Sequence, residues 1–273
     1  MRVVSLCPTA TETLCRIGGE RFLVGRSQQC DWPPSVVALP SVPSFEALRE
    51  LRPDVILAPK SGAAFPLDSG ALQTTLASIH PVPVLLTIAP ASIWDVLDDC
   101  LRIGAVVGCA DSAERAMVEL REAWWTAVDF VNPYEEGPEL LFLESVEPLM
   151  CAGRWTPELI VSAGARSSLN PPGARSRLVA PQDILAAAPD RVIVCPCGSG
   201  IPEIRSAMAT LRSERWWPLL PANLGGRERI ALVDGNQMFN RPGPRLVDAF
   251  RWLTGWINHR PELIPDGFPV ELA

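Results

Sequence analysis

The sequence predicts an α/β fold made of two similar lobes joined by one long helix. Three observations carry that expectation. One short unit occurs twice, as Pro53-Asp54-Val55-Ile56-Leu57-Ala58-Pro59 and as Pro189-Asp190-Arg191-Val192-Ile193-Val194-Cys195-Pro196. Each copy follows a short helical pattern, Phe45 to Leu51 or Gln182 to Ala188, and runs into a glycine-containing loop, Ser61-Gly62 or Gly198-Ser199-Gly200. Apolar strand-like runs also alternate with helical patterns, which is the order that builds parallel sheet. Between the copies lies a long amphipathic stretch, Asp111 to Val131. The expected organisation is an N-terminal lobe over 1–110, a linker helix over 111–132 and a C-terminal lobe over 133–273. Parallel strands put the loops that follow them on one sheet edge, and two such edges facing each other make a ligand cleft between the lobes.

Val3 to Leu6 reads as the first strand and Thr9 to Ile17 as a helix ended by Gly18-Gly19, glycine being the usual residue past a helix end. Leu23 to Arg26 is a second short strand, and Ser27 to Pro34 is a loop by its prolines. Val55 to Ala58, a helix from Ala71 to Ser78 and a strand from Val82 to Leu86 complete the first lobe. In the linker, Asp111 is placed to cap the helix with Glu114 three residues on. Ala113, Ala116, Met117, Leu120, Ala123, Trp124, Ala127, Val128 and Val131 follow at helical spacing. Such a helix is about 30 Å long and acts as a stiff strut that permits only small closure of the lobes. Asn132-Pro133 stops it. The second lobe then reads as a strand from Glu139 to Leu143, a helix from Thr156 to Ala163, the repeated strand Val192 to Cys195, a helix from Pro202 to Leu211, a strand from Ile230 to Val233 and a helix from Pro244 to Ile257.

At 273 residues the chain is long enough for two moderate cores. A net charge of -7 without a dense Lys/Arg run excludes the electrostatic footprint of a nucleic-acid binder. No stretch approaches the roughly 20 apolar residues of a membrane span. Met1 to Leu6 enters a strand-like run with no signal peptide, so the expected compartment is cytoplasmic, or periplasmic or extracellular where a leader has been removed. The eight cysteines fall mostly in apolar surroundings and are expected to be reduced. A monomer is expected.

Several motifs together resemble one family. They are Val4-Ser5-Leu6-Cys7-Pro8-Thr9-Ala10-Thr11-Glu12, Val24-Gly25 before Cys30-Asp31-Trp32-Pro33, Leu51-Arg52-Pro53-Asp54, Ala152-Gly153-Arg154-Trp155-Thr156-Pro157-Glu158, and Asp234-Gly235-Asn236 through Phe239-Asn240-Arg241-Pro242-Gly243-Pro244-Arg245. Over nearly its whole length the chain resembles the bilobal substrate-binding proteins of ABC importers, the helical-backbone class, and most closely the cobalamin-binding group. The resemblance implies two Rossmann-like lobes, a non-enzymatic clamp, cobalamin or a related corrinoid as ligand rather than catalytic cofactor, and an ABC permease as partner. Where that family carries His-Glu this chain has Gln28-Gln29, and Arg154 stands where a His is common. Imidazole is a natural axial ligand for cobalt, so with only His80 and His259 in the chain a protein-held metal is not expected.

Aromatic rings on loops offer large contact area to a corrin; Trp32, Phe65, Trp155 and Phe239 are the candidates, although a Trp beside prolines equally well staples its own loop. Gln28, Gln29, Asp31, Glu144, Asn240 and Arg241 are the candidate polar contacts, with Gln28, Gln29, Asn240 and Arg241 foremost. Thr9 and Asn236 complete the polar set, Thr9 having an alternative role as a helix cap. Cys30 and Cys197 fall on the same loops, while a Cys-x-Cys spacing lacks the second pair of a zinc site. Two other readings stand beside the first. The same architecture serves haem, a siderophore or another metal chelate, with Arg26, Arg154 and Arg241 meeting anionic groups. A tetrapyrrole-processing enzyme would have to use Glu144, Glu147 or Glu158 as its base.

Overall fold

The computed structural model describes residues 1–60, 70–224 and 226–273. It divides into two compact units, Met1–Arg121 and Glu122–Ala273.

The first unit is built on four parallel strands, β1 (Val3–Ser5), β2 (Leu23–Arg26), β3 (Val55–Pro59) and β4 (Val84–Ile88), in the order β2-β1-β3-β4. Its helices are α1 (Pro8–Arg16), α2 (Phe45–Leu51), α3 (Gly70–Ser78) and α4 (Ile93–Val107), followed by α5 (Ala110–Val128), which runs through the boundary between the units. Val4, Leu6, Val42, Leu48, Ile56, Ala58 and Leu72 pack into one core cluster. The two central strands, β1 and β3, each pair with parallel neighbours on both sides and are almost wholly buried, and they are correspondingly apolar.

The second unit carries β5 (Leu140–Val146), β6 (Leu149–Cys151), α6 (Thr156–Ser162), β7 (Arg177–Leu178), α7 (Pro181–Ala187), β8 (Arg191–Val194), α8 (Ile201–Ser213), β9 (Ile230–Val233), α9 (Leu246–Ile257) and β10 (Val270–Leu272). Its sheet has the order β10-β9-β8-β5-β6-β7. β5, β8 and β9 are parallel, whereas β6, β7 and β10 join antiparallel. The sheet is therefore mixed. The added edge strands are two or three residues long, which leaves little free backbone for another chain to pair with.

The repeated Pro-Asp unit does the same job twice. α2 ends on Arg52 and α7 on Ala188, both in the left-handed region (φ 44° and 48°), which turns each chain abruptly into Pro and Asp. Asp54 Oδ2 then accepts the amide of Arg2 at 2.6 Å, and Asp190 Oδ2 accepts that of Glu139 at 3.0 Å. Each carboxylate satisfies the backbone donor just ahead of a neighbouring parallel strand, β1 or β5, so the motif sets strand register in both units.

Three sequence-based expectations change. Asp111 lies in the first turn of α5 rather than ahead of it, because the helix begins at Ala110. Thr9 is buried inside α1 and does not cap it; Cys7 holds the cap position. α4 was not foreseen at all, although Ser92 and Asp95 form a reciprocal capping box at its start.

Candidate functional site

Ligands of open α/β sheets bind beyond the carboxyl ends of the strands, and each unit presents such an edge. In the first unit it comprises the turn into α1, the segment after β2, Lys60 after β3 and Ala89–Ser92 after β4. Arg26 anchors the segment after β2: its guanidinium donates to the carbonyls of Ser27 (3.1 Å) and Val37 (2.9 Å). Gln28, Gln29 and Asp31 are exposed there, and Trp32 keeps 40% of its surface in solvent. Cys30 does not share their position. It is wholly buried, with its thiol 3.1 Å from Ser27 Oγ and 3.7 Å from the Ser5 carbonyl, so it holds the segment to β1 and offers no surface to a ligand. Phe65 lies outside the described residues.

Beside this edge a cavity of about 260 Å³ is lined by Lys60, Thr87, Ala89, Pro90, Asp95, Asp98, Asp99 and Arg102. It mixes both signs of charge. None of these residues stood out in the sequence, where the helix that carries Asp95, Asp98, Asp99 and Arg102 was not foreseen.

The edge of the second unit is a tightly tied platform. The Cys197 amide donates to the Glu144 carbonyl (3.2 Å), and the Cys195 amide to that of Leu143 (2.9 Å), which locks the end of β8 to β5. Gly235 passes so close to this loop that a Cβ there would stand 1.8 Å from the Pro196 carbonyl oxygen. Asn240 Nδ2 donates to the carbonyls of Cys195 (3.1 Å) and Gly235 (3.0 Å). Asp234 accepts the Asn236 amide (2.8 Å) and Gln237 Nε2 (2.7 Å), and Gln237 Oε1 in turn accepts from Arg245 (2.8 Å). In the orientation that satisfies its amide, Asn236 donates to the Gly198 carbonyl and accepts from the Gly200 amide, both at 3.2 Å.

On this platform the exposed Cys197 and the half-buried Glu144 and Arg241 come together. Burial pushes the Cys197 thiol up, Glu144 pushes it the same way and Arg241 draws it down. Cys195 next to it is pushed far higher by burial and by Asp234. Arg154 is exposed and adopts a left-handed conformation (φ 57°), with its guanidinium 5.9 Å from the Trp155 ring centre.

Two aromatic expectations fail in this unit. Phe239 is 1% exposed and sits in an aromatic cluster with Phe142, Trp252 and Phe268, so it is core. Trp155 is 9% exposed and its Nε1 donates to the Phe239 carbonyl at 2.7 Å, so it pins the short 3-10 helix Met238–Asn240 and shows a ligand almost no ring. Asn240 likewise spends its amide donors inward, which makes it a brace for the edge. Among the described candidates, Gln28, Gln29, Asp31, Trp32, Arg154 and Cys197 are exposed, and Glu144, Asn236, Asn240 and Arg241 are half-buried. Sequence alone placed Arg245 in a motif but gave neither it nor Gln237 a role. Their polar pairing is legible only once the turn after β9 brings them together.

The chain carries two α/β sheets connected in sequence through α5, and solved structures share this fold. The chain is similar to the periplasmic heme-binding protein RhuT from Roseiflexus sp. RS-1 in apo form, with 23% identity over 95% of this chain and 98% of that one and a TM-score of 0.76. It is similar to the periplasmic vitamin B12 binding protein BtuF of Vibrio cholerae, with 17% identity over 96% and 98% and a TM-score of 0.71. The periplasmic heme binding protein HutB of Vibrio cholerae matches at 19% identity over 93% and 97%, with a TM-score of 0.76. No protein-family model matches the chain. No curated protein matches it either.

Proposed function

We propose that this protein is a non-enzymatic binding protein for a corrinoid, which it passes to an ABC permease. The observation that supports this reading is the sharing of one fold, over more than nine-tenths of the chain, with binding proteins named for heme and for vitamin B12. All three are periplasmic by name, and the same compartment is the natural one for a chain that loads an importer.

Haem is the second reading, and the axial-ligand chemistry separates the two. Haem iron is held by a protein His, Tyr, Cys or Met. The chain has two His and one Tyr. His80 sits ahead of β4, at the opposite end of the sheet from the loop edge; His259 follows α9; Tyr134 is 95% exposed between α5 and β5. Cys197, with a thiol pushed up rather than down, is a poor thiolate donor. A corrinoid is recognised through its faces and peripheral amides without a protein imidazole, and Gln28, Gln29, Trp32, Glu144 and Arg241 supply a ring and polar groups suited to that. Candidate general bases for a processing enzyme fare worse. Glu147 is exposed and Glu158 is half-buried on α6, so only Glu144 lies among the platform groups.

The test is a titration of the purified protein with cyanocobalamin and, separately, with hemin, followed by visible absorption and calorimetry. One equivalent of cobalamin bound with micromolar or tighter affinity is expected. A shifted haem absorption band with no response to cobalamin would move the assignment to haem, and silence towards both at millimolar ligand would remove it.

A further inference from the structure

Asp99 is 2% exposed, and its two carboxylate oxygens meet different fates. Oδ1 accepts from Arg102 Nη1 at 2.6 Å. The same guanidinium donates through Nη2 to the Thr87 carbonyl at 3.0 Å, so one arginine ties α4 to the last residues of β4. Oδ2 is buried and has no hydrogen-bond partner among the described residues. A buried ionised oxygen left unsatisfied is costly, whereas a neutral carboxyl in the same place carries far less penalty. The side chain therefore has a structural reason to take up a proton.

The surrounding charges do not remove that reason. On α4 itself, Asp95 and Asp98 face the same cavity as Asp99 and repel its charge, and Arg102 opposes them. Across the cavity stands Lys60, whose backbone amide is fixed to the Ile88 carbonyl at 2.9 Å. α1, which packs on α4, brings the buried Glu12 and Arg16, and Arg16 is already paired with Glu119 at 2.7 Å. Burial dominates this balance and pushes Asp99 up to about 6, against the pull of Arg102.

We propose that Asp99 is a proton-operated latch: ionised, it holds Arg102 against the carboxyl end of β4, and neutral, it lets that arginine go. The residues it controls are Thr87 and the Ala89–Ser92 loop, part of the ligand-facing edge of the first unit. The latch does not depend on which ligand the protein carries.

Its signature is a pair of responses of opposite sign. A raised carboxyl stabilises the fold fully below the ordinary Asp range, and that contribution is lost as pH rises through about 6. Acidification thus adds this one group's contribution to stability while it loosens the end of β4. The test is amide hydrogen exchange of the unliganded full chain at about pH 5 and about pH 7.5, either side of the Asp99 transition and corrected for intrinsic rates. The peptide over Thr87–Ser92 is expected to exchange several-fold faster at the lower pH, and Asp99→Asn to exchange fast at both. Arg102→Gln, which removes the held partner and keeps the carboxyl, is expected to do the same if Asp99→Asn fails to fold. Wild-type exchange that ignores pH, or variants that keep the wild-type response, would overturn the latch. Cobalamin and haem titrations are not involved, so the ligand assignment and the latch fail separately.

Discussion

Asp54 and Asp190 show how little of a motif's meaning lies in its residue types. A Pro-Asp ahead of an apolar run is common, and here each carboxylate is consumed by one backbone amide, that of Arg2 or of Glu139. Replacing Asp190 by Ala would leave the Glu139 amide without its acceptor, and urea unfolding should show a loss of about 1–2 kcal/mol. Phe239 teaches the converse. On sequence it was an aromatic residue on a loop beside Asn240 and Arg241, the pattern of a ligand contact. Its ring is in fact surrounded by Phe142, Trp252 and Phe268. Phe239→Ala should therefore cost about 3–5 kcal/mol of stability, in contrast to Trp32→Ala, which should weaken cobalamin binding and leave the unfolding midpoint nearly unmoved. If Phe239→Ala unfolds with the wild-type midpoint, the core placement is wrong.

At the scale of elements, what the sequence made legible were the long periodic segments and the repeated strand. The helix that became α5 buries Ala113, Ala116, Leu120, Trp124 and Ala127 of the nine apolar positions expected of it, while Met117, Ala123 and Val128 are half-buried and Val131 lies beyond its end. β6, β7 and β10 were invisible because two or three residues carry no period. The candidate site was half legible for the same reason. Which loops occupy the sheet edges follows from strand order, but whether a side chain on them points outward depends on contacts made dozens of residues away, such as that of Trp155 with Phe239. α4 was missed even though its capping box is local, since Ser92 accepts the Asp95 amide at 3.3 Å and Asp95 Oδ2 accepts that of Ser92 at 2.9 Å. Ser92→Ala should destabilise the protein by about 1 kcal/mol. Burial works to raise the Asp95 carboxyl, but the hydrogen bonds from Ala91 and Ser92 outweigh it and hold the group below its ordinary range. A lowered carboxyl contributes stability above the ordinary Asp range and loses it as pH falls through the folded-state value. The penalty of Ser92→Ala should accordingly be present at neutral pH and shrink in strong acid, which denaturant midpoints at the two conditions will show.

Across the whole chain the cysteines report where each unit is closed. All eight are free thiols. Six are buried, Cys15 is half-buried, and Cys197 alone is exposed. Burial pushes Cys15, Cys100 and Cys151 up to about 12 and Cys7 to about 11, so these are neutral at any working pH and serve as small apolar fillers. The thiolate is the reactive form, and reaction with a bulky aromatic disulfide reagent needs access as well. One thiol should therefore react quickly in the native protein, the others only with denaturant, and Cys197→Ser should abolish the fast phase. Because burial and Glu144 raise Cys197 against the pull of Arg241, the fast rate should keep climbing with pH beyond the ordinary thiol midpoint of about 8.5. Arg241→Gln removes the one opposing charge and should slow it further at neutral pH. A fast phase that survives Cys197→Ser would mean that a second thiol, the half-buried Cys15 first among them, is open to the reagent. A bound corrinoid resting on that platform should slow the reaction of Cys197 in proportion to its occupancy.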